Sequence, residues 1–350
     1  MNPITRRALI QQLSLAGAAC ALPPAFAASA ADHSRDWDWL EGNWDVWHER
    51  LRDRLVGSTT WDEFGGKSHF WQTLGGLANV DDCLLYLPTG KYRALSLRAF
   101  DPAIRQWGIW WLDGRMAGKL DPPVRGGFIG DEGEFQGPDV HKGTPVTVRF
   151  RWHETNSQRP HWDQALSIDG GKNWEINWRN YFTRTRAAAT PVPLEADEPR
   201  DPAAADWSFL AGRWKVRNRR LQANGKWEEF GSTLHNWPVL GGLGNVGDNV
   251  FHASGGTYRG MSVRSFDPKS RQWRSWWLDG RTPKDIGPAA AGGFHEGVGT
   301  LVAEEDVKGR KVRVRSQWTR VQTSSPHWEQ ATSSDGVTWD TNWSADFERT

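Results

Sequence analysis

Cysteine is almost missing. The 350-residue chain has 2, Cys20 and Cys83. Cys20 falls in an N-terminal segment with the marks of a cleaved export signal, so the mature chain would keep Cys83 alone and form no internal disulfide. Net charge is lacking as well. Lys and Arg (43) balance Asp and Glu (42) to a formal +1 at pH 7. The basic residues are spread along the chain, which argues against nucleic acid or anionic lipid as a partner. No segment after the N-terminus is long and apolar enough to cross a membrane as a helix. Helical periodicity is confined to a short turn at "DWDWLEG". Catalytic signatures are also wanting. There is no G-x-S-x-G elbow, no H-E-x-x-H or similar metal spacing, and no Walker or Rossmann glycine pattern. Cys83 aligns with Asn249 in the repeat described below, so a paired nucleophile is excluded.

What the chain has in excess is tryptophan, 24 residues. Trp joins a large apolar area to one N–H donor and suits broad cores or ligand walls. Residues 1–30 read as a removable segment: a basic start with Arg6-Arg7, an apolar stretch, and small residues before Ala27 and Ala30. The Arg pair resembles a twin-arginine export signal, which implies a periplasmic or secreted protein.

The rest is one domain written twice. "DWDWLEGNWDV" aligns with "DWSFLAGRWKV", "LGGLANVDD" with "LGGLGNVGD", and "YRALSLRAFDPAIRQWGIWWLDGR" with "YRGMSVRSFDPKSRQWRSWWLDGR". The offset, about 166 residues, is far longer than a solenoid or propeller period, so each copy is a complete domain. The expected layout is a first repeat over 36–186, an Ala/Pro-rich linker over 187–205 and a second repeat over 206–350. Short alternating runs separated by Gly, Pro, Asp and Asn predict an all-β fold. The expectation is two tandem antiparallel up-and-down barrels of about nine or ten strands each, forming a monomer. "SIDGGKNW" fits a sialidase Asp-box, but two copies cannot make a propeller, and it reads as a hairpin.

Trp44 and Trp214 stand in G-x-W motifs that open the first long strand of each copy, and Arg184 and Arg349 close the last. This arrangement resembles the lipocalin-type calycins, in which that tryptophan plugs one barrel end under a late arginine. The repeated pattern also resembles a bacterial family of unknown function held to be calycin-like. The resemblance covers both copies and is nearly silent on activity. Nitrobindin-like calycins bind haem through a histidine. No local motif carries that ligand here, so no cofactor is expected, with haem left as the alternative.

Strand parity nominates a site. Ser96, Arg98 and Phe100 share one face, as do Trp107, Trp111 and Asp113, provided no bulge breaks the double Trp. The candidate ligand-binding residues are therefore Arg98, Trp111, Asp113, Arg115 and Gln164. Their counterparts are Arg264, Trp277, Asp279, Arg281 and Gln330. Trp110, Trp276, His161 and His327 are secondary candidates. Apolar walls with a few convergent polar groups are what small-ligand sites look like, and arginine suits an acidic ligand group. The expected function is binding of a small, partly apolar ligand in a Trp-lined lumen. Two alternatives stay open: a lyase, isomerase or hydrolase using the same pocket, and a two-barrel interaction module without a cavity. The Asp113–Arg115 pair could equally be a turn-stabilising pair at a strand end.

Overall fold

The computed structural model describes residues 33–186, 194–195, 201–307 and 309–350; the expected export segment and most of the expected linker lie outside them. The chain divides into two compact units. Each holds a closed antiparallel barrel of ten strands in which chain neighbours pair and the first strand closes against the last. Closure leaves no free sheet edge.

The strands of barrel one are β1 (Gly42–Leu51), β2 (Trp61–Thr73), β3 (Ala78–Leu87), β4 (Gly90–Asp101), β5 (Gln106–Asp113), β6 (Val124–Ile129), β7 (Glu132–His141), β8 (Thr144–His153), β9 (His161–Ser167) and β10 (Glu175–Arg186). Barrel two repeats them as β11 (Gly212–Leu221), β12 (Trp227–Val239), β13 (Gly244–Ala253), β14 (Gly256–Asp267), β15 (Gln272–Asp279), β16 (Ala290–His295), β17 (Val298–Val307), β18 (Arg310–Thr319), β19 (His327–Ser333) and β20 (Asp340–Arg349). Among the described residues no helix is long and apolar enough to cross a membrane.

One end of each barrel is closed by the turn before its first strand. In barrel one Trp37 sits in the opening, edge-on to Phe128 at 4.9 Å and to Trp152 at 5.2 Å. Buried indole N–H groups need acceptors, and in each barrel the segment before the first strand supplies two of them. Trp44 donates to the Leu40 carbonyl at 2.8 Å and Trp107 to the His33 carbonyl at 2.8 Å. In barrel two Trp214 donates to the Leu210 carbonyl at 2.8 Å and Trp273 to the Ala203 carbonyl at 3.0 Å. Ala203 belongs to the 3-10 turn Pro202–Ala205. The end of the expected linker therefore packs against barrel two.

The Arg184 guanidinium lies 4.1 Å from the Trp44 ring centroid and donates to the carbonyls of Trp39 and Glu41. Arg349 lies 4.4 Å from that of Trp214 and donates to the carbonyls of Phe209 and Ala211 at 2.9 Å. A strand contact near the β6 end is tight enough to require glycine. A Cβ on Gly126 would meet the Glu134 carbonyl oxygen at 1.8 Å, and one on Gly292 that of Thr300 at 1.9 Å.

Candidate functional site

Registry through β4 and β5 is unbroken from Ala94↔Asp113 to Asp101↔Gln106. The alternation therefore survives the double tryptophan. Arg98, Trp111, Asp113, Arg115 and Gln164 all line one cavity of about 210 Å³ inside barrel one. Trp110 points to the outer side of β5, where it is buried, with the Arg125 guanidinium 5.7 Å from its ring. Trp276 is likewise buried on the outer side of β15.

The lumen has an aromatic wall. Trp111 meets Trp178 edge-on at 6.3 Å, and Trp162 meets Trp178 at 5.8 Å. Leu85, Ile109, Val148 and Phe150 complete the apolar lining. Towards the closed end Arg98 is fully buried. It donates to Asn79 Oδ1 at 3.0 Å, stands 3.7 Å from Asp81 Oδ2, and stacks 4.5 Å from the Trp37 centroid. Asp81 was not legible from sequence, because β3 is buried along nearly its whole length and shows no alternation. Burial pushes the Asp81 carboxyl up to about 6, although Arg98 and hydrogen bonds from Cys83 and Ser68 pull it down. Its Oδ1 has no hydrogen-bond partner, nor does Arg98 Nε.

Several of the expected polar handles are committed to structural partners. Asp113 accepts from the Arg115 backbone N–H at 2.9 Å, from Nε at 2.9 Å and from Nη2 at 2.5 Å. The pair therefore builds the turn at the strand end, and its guanidinium covers Tyr92 at 3.9 Å. Asp279 and Arg281 repeat this geometry, with Arg281 4.1 Å from Tyr258. Gln164 donates to Asn177 Oδ1 at 2.8 Å beside the β10 irregularity, and Gln330 does the same to Asn342 at 3.1 Å.

The histidines divide. His161 and His327 face outward, because Trp162, Gln164 and Leu166 take the inner side of β9. His161 stacks on His153 at 4.7 Å, and His153 is held between Glu132 (2.6 Å) and Asp163 (2.7 Å). His327 lies against Asp346 at 2.8 Å and Glu329 at 3.3 Å. Neither reaches a lumen. The histidine against the aromatic wall of the lumen is His48, on the face set by Trp44. It is buried, contacts Asn180 Oδ1 at 2.6 Å and stacks on Phe64, and burial lowers it to about 4. Among the described residues no group of three or more His, Cys, Asp or Glu could hold a metal ion.

Away from the closed end the cavity is rimmed by Arg50, Arg54 and His141, none of which was singled out from the sequence. Arg50 places its guanidinium 4.8 Å from the Trp178 ring. Arg54 comes from the β1–β2 loop. Glu175 holds that loop by accepting the Leu55 N–H on both carboxylate oxygens, at 2.8 and 3.0 Å, with Leu55 in the left-handed region at φ 62°. Arg54 Nη2 and His141 Nε2 are buried without hydrogen-bond partners.

Barrel two differs inside. Gly247 replaces Asp81, so Arg264 has no carboxylate and bonds Asn245 (2.9 Å) and Ser262 (3.2 Å) instead. Burial lowers it to about 9. Gly260 replaces Ala94, and the Trp277 indole lies across it: a Cβ there would meet Trp277 at 2.1 Å. Trp277 faces inward yet is 38% exposed.

No protein-family model and no curated protein matches the chain. Among solved structures, it is similar to a protein of unknown function from the DUF3598 family of Nostoc punctiforme. Identity is 12% and the TM-score 0.28, over 92% of this chain and 100% of that one. It is also similar to the vaccine antigen transferrin-binding protein B of Haemophilus parasuis, at 8% identity and TM-score 0.19, over 88% of this chain and 75% of that one. A putative AttH from Nitrosomonas europaea follows at 10% identity and TM-score 0.10, over 93% and 99%.

Proposed function

We propose that this is an exported, monomeric binding protein of two calycin-like barrels, and that barrel one takes a small, partly apolar ligand in its lumen. The observation that carries the reading is the cavity of about 210 Å³ between the aromatic floor and a polar rim, walled by Trp111, Trp162 and Trp178. A packed interaction module would fill that space with side chains. The volume lies below the roughly 300–1,000 Å³ of a drug-sized pocket, which favours a small guest over a resident macrocycle such as haem. The near-zero net charge supports a small molecule over nucleic acid.

The test is native mass spectrometry, with an absorbance scan, on protein recovered from the periplasm of a bacterial host. A bound species of defined mass that is lost in Trp111→Ala supports the reading. A bare mass, together with no change in tryptophan emission across a panel of small amphiphiles, refutes it.

One observation favours the enzymatic alternative. Asp81 is a lumen carboxyl with a free oxygen and a pKa raised towards neutrality, the poise a general base needs. Under that reading Asp81→Asn abolishes turnover while leaving ligand binding intact; under the binding reading there is no turnover to lose.

A further inference from the structure

The polar groups of barrel one fall into two sets. Arg98, Asp113, Arg115 and Gln164 are bonded to other protein groups. The rim set, Arg50, Arg54 and His141, is not. No ion pair or hydrogen bond joins the side chains of Arg50 or Arg54 to any described residue, and Arg54 Nη2, a donor, and His141 Nε2 are buried without a hydrogen-bond partner. A buried donor without an acceptor costs about as much as a lost hydrogen bond, so a rim built this way gains when an acceptor arrives. Like charges are also held together there. Burial lowers Arg54 to about 10, and Arg50 and Arg115 add to this against the opposing pull of Tyr92 and Glu175; burial and then Arg54 lower His141. The loop that presents Arg54 is fixed in a left-handed turn by Glu175.

We propose that this rim is a carboxylate site: Arg50, Arg54 and His141 take the acidic head of an amphipathic monoanion whose apolar tail lies against Trp111, Trp162 and Trp178. The proposal rests on the lumen-binding reading above and names its ligand class. Asp121 and Asp139 also line the cavity, and Asp139 and Glu175 act on His141, which disfavours a dianionic head. The opposite end cannot take the head, because Asp81 already faces Arg98 there. The site is particular to barrel one. Barrel two pairs the residue equivalent to Arg50, Arg220, with Glu228 (3.0 Å) and the Tyr258 hydroxyl (3.0 Å). It also shortens the loop that would carry an equivalent of Arg54.

Isothermal titration of the full mature chain with octanoate, octanol and octyltrimethylammonium tests this. Octanoate should bind at least about tenfold more tightly than octanol, and the ammonium should bind least. Arg54→Gln should cost octanoate about tenfold or more and leave octanol unchanged, with Arg50→Gln as the second variant should the first fail to fold. Arg220→Gln, in barrel two, should change neither. Octanol binding as tightly as octanoate, or Arg54→Gln leaving octanoate unaffected, overturns the carboxylate site while the lumen reading stands. No binding of any of the three overturns both.

Discussion

Replacing the two buried arginines by methionine, one at a time, should give opposite results. Arg98 Nη2 lies 3.7 Å from Asp81 Oδ2, with both side chains buried. Two unit charges at that separation attract by roughly 4–5 kcal/mol at an effective dielectric of about 20. Arg98→Met forfeits this and leaves a buried carboxyl without its cation, a change that costs about 3–5 kcal/mol when the carboxyl stays ionised. Protonation caps the cost. Burial already pushes Asp81 up to about 6 against the pull of Arg98, and without Arg98 it rises further. A carboxyl raised above its unfolded value favours folding at low pH, and that contribution is lost as pH climbs through the folded pKa. Arg98→Met should therefore be costly at about pH 8 and much milder at about pH 5. In barrel two Gly247 supplies no anion, and Asn245 keeps its bond from Asn236 at 3.1 Å when Arg264 is removed. Arg264→Met should range from neutral to a gain of about 1–4 kcal/mol, equal at both pH values. Urea unfolding followed by circular dichroism and tryptophan emission measures both, with m-values checked because two barrels can unfold in separate steps. Equal losses at the two sites, or a pH-independent loss for Arg98→Met, would refute the argument.

Other outcomes follow from the same geometry. Arg184→Ala removes the guanidinium from Trp44 and two bonds to backbone carbonyls, and should cost barrel one about 1–3 kcal/mol in a thermal melt. Gly126→Ala drives a Cβ into the Glu134 carbonyl oxygen and should cost more than about 2 kcal/mol; a melt matching the parent would show that the strands can separate at no expense. Burial lowers His48 from 6.5 to about 4, so its contribution to stability is present above 6.5 and lost as pH falls through about 4. His48→Gln should flatten the stability profile between those values, as read by chemical denaturation at stepped pH. Gly260→Ala should push the Trp277 indole off the β14 backbone, and an unaltered near-UV dichroism spectrum would count against that placement.

Much of the fold could be read from the chain because the signals were local. Turn residues cut it into strands, two copies fixed the repeat, and parity put Arg98, Trp111 and Gln164 on the inner face. What could not be read depended on registry between strands. Asp81 meets Arg98 only across the β3–β4 hairpin, in a strand too buried to show a period. Arg54 lies in a loop of polar and small residues that reads as solvent-exposed, and the inward turn of that loop depends on the bond from Leu55 to Glu175, 120 residues further on. Two signals were available. Parity from Trp44 through Val46 reaches His48 and Arg50, and Asp81 is an acid that copy two lacks while its arginine is kept.

That last difference bears on how the copies diverge. Both arginines are held by the same two neighbours, an indole (Trp37 at 4.5 Å, Trp207 at 4.2 Å) and an asparagine amide (Asn79 at 3.0 Å, Asn245 at 2.9 Å). The acid is an addition to that cradle and is not needed to keep the guanidinium in place. One substitution on β3 therefore resets the interior charge of a barrel without rebuilding its floor, and a duplicated gene can carry two differently charged interiors on one chain.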